Sequence, residues 1–110
     1  MTRKISEKVA RAFRNGECHK FGNTTVERDS MGCLVVKLFG NTIAKNTDFH
    51  ILYSTCGYLT STTRDRLEAL IRGSVSFANG ECTVRGQKVE NPSGWWEAPT
   101  GWETVEVKAV

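Results

Sequence analysis

The groups in this chain that could do chemistry concentrate around residues 56–73, CGYLTSTTRDRLEALIRG. Cys56 is a nucleophile by type, and His50 or His19 could serve it as a base, but the sequence places no third group beside them to orient an imidazole. With only these two histidines, no carboxylate pair and no glycine-rich phosphate loop, the expectation is a protein with no catalytic residues, not an enzyme. The other chemistry open to cysteine is metal binding. Cys18, Cys33, Cys56 and Cys82 stand 15, 23 and 26 positions apart, with no C-x-x-C, and the adjacent pair Cys18-His19 is poor geometry for two ligands on one ion. No metal and no cofactor are expected, and the thiols read as reduced, small apolar groups.

Thr60, Ser61, Thr62 and Thr63, followed by Arg64, stand where a helix begins. A helix N-terminus offers unpaired N–H groups and the positive end of the macrodipole. Hydroxyls would add donors and Arg64 or Arg66 could clamp a phosphate, so Thr60, Ser61, Thr62, Thr63 and Arg64 form a candidate anion site. A purely structural role competes with it. Thr62-x-x-Asp65 fits a capping box, with Thr62 accepting from the backbone and Asp65 reaching back. Asp65 would also repel an anion from the same turn. Leu67, Leu70 and Ile71 follow as an apolar stripe, and Gly73 is placed to stop the helix, which is expected near 62–72.

A second set of charged groups lies at the start. Residues 1–20 carry six Lys or Arg against two Glu, a net +4, whereas residues 80–110 carry three against five, a net −2. In the 1–16 segment Ile5, Val9, Ala12 and Phe13 fall on one side of a helix, and Arg3, Lys4, Lys8, Arg11 and Arg14 occupy most of the opposite arc. Gly16 is placed to end it. The basic face reads either as solvated surface or as a docking surface. Trp95, Trp96 and Trp102 crowd a Pro/Gly-broken tail, 91–110, that finishes in strand-like alternation. They read either as a lid on the core or, with Trp95 and Trp96 exposed, as an aromatic platform for a protein or for stacked bases.

The elements that must position these groups follow from pattern. NTTVERD, CLVVKLF, NTIAK and DFHILYS are short runs rich in β-branched and aromatic residues, divided by turn residues such as DSMG. In the last of them Phe49, Ile51 and Tyr53 share one face, and His50 and Leu52 the other. Gly40-Asn41 is expected as a two-residue turn pairing Leu38 with Ile43, and FGNT, present at 21–24 and 39–42, as the same turn chemistry used twice. Asn79-Gly80 predicts a hairpin pairing Phe77 with Cys82, Ser76 with Thr83 and Val75 with Val84. The expected fold is α+β: an antiparallel sheet of about five to seven strands with an N-terminal helix and the second helix near 62–72.

At 110 residues, 39% hydrophobic and 25% charged, the chain is a single domain, 1–110, with the sheet and second helix in 20–90. No apolar run approaches the ~18 residues that span a bilayer, and the basic start lacks the apolar stretch of a signal peptide. No membrane partner is expected, and the host cytoplasm is the expected location. A formal charge of only +3 is modest for a dedicated nucleic-acid binder.

LFGNTIA, followed by a hydrophobic strand and CGYLTSTTRDRLEAL, resembles a small domain recurring in tailed phages, with a pattern like G-[WY]-x-T-x-T-T-x-x-R-L-N. Gly57, Tyr58, Thr60, Thr62, Thr63, Arg66 and Leu67 fall on that pattern; Leu38, Gly40, Asn41, Ile43 and Ala44 fall on a preceding one; Glu68 stands where it has Asn. The resemblance implies a phage accessory protein and names no reaction. The leading expectation is therefore a non-catalytic inhibitor or modulator of a host protein or complex, with Arg3, Lys4, Lys8, Arg11, Arg14, Arg64, Trp95 and Trp96 as partner-binding residues. The alternative is a nucleic-acid or nucleotide binder using the basic helix and the tryptophans. Self-association is compatible with an open sheet.

Overall fold

Helix α1 (Lys4–Asn15) opens the computed structural model, which describes residues 3–47 and 50–98. Gly16, left-handed at φ 73°, ends it as expected, its N–H donating back to the Phe13 carbonyl. Val9, Ala12 and Phe13 are buried, and Ile5 is half-buried. Ser6 and Ala10 widen the buried face beyond the apolar stripe. They do so because the helix has two neighbours, a sheet on one flank and a second helix on the other.

The sheet on which α1 lies has five strands in chain order: β1 (His19–Phe21), β2 (Thr24–Arg28), β3 (Leu34–Leu38), β4 (Asn41–Asn46) and β5 (Ile51–Tyr53), all antiparallel. Thr24, Val26, Leu34, Val36 and Leu38 face the core. On the other face Lys37 pairs with Glu27 and Lys45 with Asp29, each at 3.4 Å, over the buried Val35. The Thr25 hydroxyl and then Lys37 hold the Glu27 carboxyl below its ordinary range. Burial opposes ionisation of Asp29, but the N–H groups of Cys33 and Met31 together with Lys45 outweigh it and lower its pKa.

Helix α2 (Ser61–Ile71) leads from this sheet to a second one, β6 (Val75–Ala78), β7 (Glu81–Val84) and β8 (Gln87–Val89). The fold is α+β with antiparallel pairing throughout, but the strands form two sheets, not one, because α2 stands between them and packs on β6. One hydrophobic core runs through both sheets and both helices. The Asn79-Gly80 hairpin has the expected register, Phe77 opposite Cys82, Ser76 opposite Thr83 and Val75 opposite Val84. Both turn residues are left-handed.

The β3–β4 turn departs from expectation. Its central residues are Phe39-Gly40, Leu38 faces Asn41, and a bulge opposite Val36/Lys37 leaves Ile43 without a partner on β3. The bulge lets Ile43 and Ala44, adjacent in sequence, both be buried. The two FGNT copies are consequently used differently. In the first, Gly22-Asn23 is the turn, with only Gly22 left-handed.

At the end of the described chain, residues 91–96 dock on the β5 end. Trp96 bridges to Tyr53, and the Pro92 carbonyl accepts from the Thr55 N–H, the Thr55 hydroxyl and Trp96 Nε1. Phe49, Trp102 and the strand expected at the C-terminus lie outside the described residues. No helix among the described residues is long and apolar enough to cross a membrane.

Candidate functional site

The helix start that held the candidate anion site is organised by a different hydroxyl than expected. Thr60, not Thr62, is the N-cap. Its Oγ1 accepts from the Thr63 N–H at 3.2 Å and is hydrogen-bonded to Thr63 Oγ1 at 3.0 Å. Thr63 is buried. Thr62 Oγ1 accepts from Arg3 Nη1 at 3.2 Å. Of the five residues proposed to hold an anion, three are thus engaged within the protein, and only Ser61 and Arg64 stand exposed without such bonds. The other end of α2 also differs: Arg72 takes the left-handed cap at φ 62°. Gly73 follows it and serves a different need, because a Cβ there would lie 2.5 Å from Arg85 Nε.

Asp65 does not reach back along its own helix. Its carboxylate, 6% exposed, accepts from the Arg3 N–H at 3.0 Å and from Ser6 Oγ at 2.5 Å. It therefore caps α1, where a negative charge also meets the favourable end of the dipole. Arg66, 2% exposed, donates to Ser6 Oγ, Thr24 Oγ1 and Asn23 Oδ1 and lies 3.8 Å from Asp65. Burial lowers the Arg66 pKa; Asp65 opposes that, and Arg3 adds to it. This polar interlock joins both helices to β2. It also fixes the helices side by side in the same direction, with Arg3 and Ser6 against Thr62 and Asp65 at one end and Ala10 and Arg14 near Ala69 and Arg72 at the other.

What the interlock leaves outside is a cationic face. Lys4, Lys8, Arg11 and Arg14 are exposed, and none has a carboxylate partner among the described residues. A groove of about 590 Å³ runs between the helices, floored by Ala10 and Ala69 and edged by Arg11, Arg14 and Arg72, with Glu7 and Glu68 also on its walls. Arg11 lies on the ridge between this groove and a second depression against β1, beside Lys8 and His19. The Glu68 carboxylate does not neutralise the first groove freely, since it accepts from the Val75 N–H at 3.1 Å and so ties α2 to β6. Arg72 belongs to this surface although the sequence reading omitted it; its only signal was a cation at the end of an apolar helix.

The two tryptophans separate. Trp96 is 9% exposed, 5.6 Å from the Tyr53 ring, so it is a core residue and not part of a platform. Trp95 is 48% exposed and remains available. Of the nucleophile and its bases, Cys56 Sγ donates to the Thr42 carbonyl at 3.0 Å, His50 faces Glu97 at 3.4 Å, and His19 stacks on Phe21. All four cysteines are free.

The two stretches that carry the phage resemblance meet in space. Among the described residues they supply all but Thr55 around a cavity of about 380 Å³ beside the β3–β4 turn. No curated protein and no solved structure matches the chain. A protein family does: residues 2–103 match the family described as Kyanoviridae Gp96 protein, and with that span nearly the whole chain belongs to this family of tailed-phage proteins.

Proposed function

We propose that the chain is a non-catalytic accessory protein that binds a host macromolecule in the host cytoplasm and inhibits or modulates it, in host takeover or in anti-defence of the anti-CRISPR kind. The observation that carries this reading is an asymmetry of charge pairing. Of the lysines on the sheets, Lys37, Lys45 and Lys88 each have a carboxylate partner, and Lys20 on the edge strand β1 has none among the described residues. Along α1 the four cations Lys4, Lys8, Arg11 and Arg14 have none among the described residues. Uncompensated cations steer an acidic partner and speed its association. A protein surface suits the groove better than a phosphate backbone, because Glu7 and Glu68 interrupt the positive wall and would repel a continuous polyanion.

The test is affinity capture from host lysate with the wild-type chain and with the Lys4→Ala/Lys8→Ala/Arg11→Ala/Arg14→Ala variant. A stoichiometric partner held by the wild type and lost by the variant supports the reading; no partner, or equal capture, sinks it. Nucleic acid is the competing outcome, favoured by the linear run of cations on one face. Binding of a labelled duplex or single strand that weakens about tenfold or more between 50 and 200 mM salt would move the assignment there.

A further inference from the structure

The β3–β4 turn carries a feature that stability does not explain. Phe39 and Gly40, its central residues, are both left-handed, at φ 52° and 81°. Three other turns have the same form, Cys56-Gly57 at 54° and 83°, Asn79-Gly80 at 54° and 76° and Arg85-Gly86 at 51° and 79°. Asn is the residue such a turn favours at its first position. Arg85 has compensation, donating from Nη2 to the Ile71 carbonyl at 3.1 Å. The Phe39 N–H donates to the Asn23 carbonyl at 2.8 Å, but its side chain has neither advantage. A bulky residue at positive φ is an outlier, and its ring is 72% exposed, so burial does not offset the strain. Strained positions of this sort concentrate at ligand sites.

A second aromatic ring is held out nearby in the same manner. Cys56 and Gly57 are left-handed at φ 54° and 83°, and the chain leaves Tyr58 54% exposed immediately after them. Phe39 and Tyr58 line the 380 Å³ cavity, whose size falls in the lower part of the range for ligand pockets, about 300–1,000 Å³. Buried Leu38 and Ile43 contribute its apolar wall. Asn41 also lines it, and the Asn41 side-chain amide has no partner among the described residues. Apart from the Tyr58 phenol, no ionisable group among the described residues lines the cavity. Such a wall selects against charge, which sets it apart from the cationic face of α1.

We propose that this cavity receives an uncharged aromatic side chain projected by a protein partner. The ring packs on Leu38 and Ile43, Phe39 and Tyr58 supply face or edge contacts, and Asn41 hydrogen-bonds its polar edge. That the ring belongs to a protein rests on the function proposed above and on continuity of surface: Thr60 borders both this cavity and the depression that holds Ser61 and Arg64.

The experiment titrates the ¹⁵N-labelled full chain with N-acetyl-tryptophanamide and follows amide shifts by NMR, with capped aspartate amide and adenosine as comparison probes. Saturable shifts at Phe39, Asn41, Tyr58 and Thr60, with a dissociation constant on the order of 1 mM as one ring can supply, are expected. Phe39→Asn should weaken binding about tenfold while raising the melting temperature, since it removes the strain together with the ring. Tyr58→Ala should weaken binding similarly without unfolding the chain. The α1 quadruple variant should bind the probe as the wild type does, which separates failure here from failure of the cationic surface. No saturable shift, undiminished binding by Phe39→Asn, or a preference for adenosine or for the charged probe overturns the proposal.

Discussion

Replacing Asp65 by Ala distinguishes a tertiary interlock from a local helix cap. The carboxylate is 6% exposed and accepts from the Arg3 N–H and from Ser6 Oγ, with Arg66 at 3.8 Å. Its removal leaves the 2%-exposed guanidinium with only the neutral acceptors Ser6, Thr24 and Asn23. Breaking a buried ion pair from one side costs about 3–5 kcal/mol. A capping-box carboxylate serving its own helix would cost only about 1 kcal/mol. The larger figure is a substantial part of the ~5–15 kcal/mol that stabilises an ordinary domain. It corresponds to a fall in melting temperature of about 12–20 °C, at roughly 4 °C per kcal/mol for a chain of this size. Urea unfolding measures it, and a cycle with Ser6→Ala checks the cause. Ser6 and Asp65 are on different helices and hydrogen-bonded, so their effects should deviate from additivity by about 0.5–3 kcal/mol. Thr60→Ala, which removes only the N-cap, should cost about 1 kcal/mol. A loss below about 1 kcal/mol for Asp65→Ala, or additivity with Ser6→Ala, would refute the interlock, since a local cap has no coupling to α1.

Trp96→Ala should cost about 3–5 kcal/mol, because it empties a core position and removes one of the three donors to the Pro92 carbonyl. Trp95→Ala should cost less than about 1 kcal/mol, and equal urea midpoints for the two would overturn the assignment of which ring is inside. Burial pushes the Tyr53 phenol up to about 12, with Arg85 opposing. A folded pKa above the unfolded value of about 10 means the contribution is complete below pH ~10 and lost as pH rises toward ~12, up to about 3 kcal/mol. Urea midpoints should therefore fall across that window and fall less in Tyr53→Phe; equal slopes would contradict the burial argument.

Where backbone chemistry decided the outcome, the sequence was legible. Asn79-Gly80 can make one kind of turn, and alternation on either side then settles the register of β6 and β7. At β3–β4 the same reasoning fails by one residue. Phe is disfavoured at positive φ, so Gly40-Asn41 was the better local choice, and only the bulge at Ile43 makes Phe39-Gly40 consistent with the pairing of Val36 and Ala44. The run Thr60-Ser61-Thr62-Thr63 offered several caps of similar merit. What selected Thr60 was the packing of α1, which takes Asp65 and Thr62 for itself. Trp95 and Trp96 must point to opposite sides of an extended segment, so one buried and one exposed ring was inferable. Which was which depended on the contact with Tyr53, 43 positions away. The basic face of α1 was legible because amphipathic spacing is local, whereas Arg72 entered the groove only through the parallel alignment of the helices.

That alignment has an electrostatic consequence that bears on the cationic face. Two parallel helices place their C-terminal, partially negative ends together, which is unfavourable unless cations stand there. Arg14 closes α1, and Arg72 caps α2, so the groove ends where the dipoles most need positive charge. Part of the cationic character is therefore structural, and a partner that neutralised it completely would forfeit the stabilisation those arginines give to the helix ends. Lys4 and Lys8 have no such duty: both lie in the first half of α1, and Lys4 stands in the first turn, where the dipole disfavours a cation. Their presence there makes them the least attributable to folding of the cations on α1. Neutralising Lys4 and Lys8 should then leave stability unchanged or slightly raised while weakening the partner, and neutralising Arg14 and Arg72 should lower both. It is this split, more than the total charge, that separates a surface shaped for binding from one shaped only by the fold.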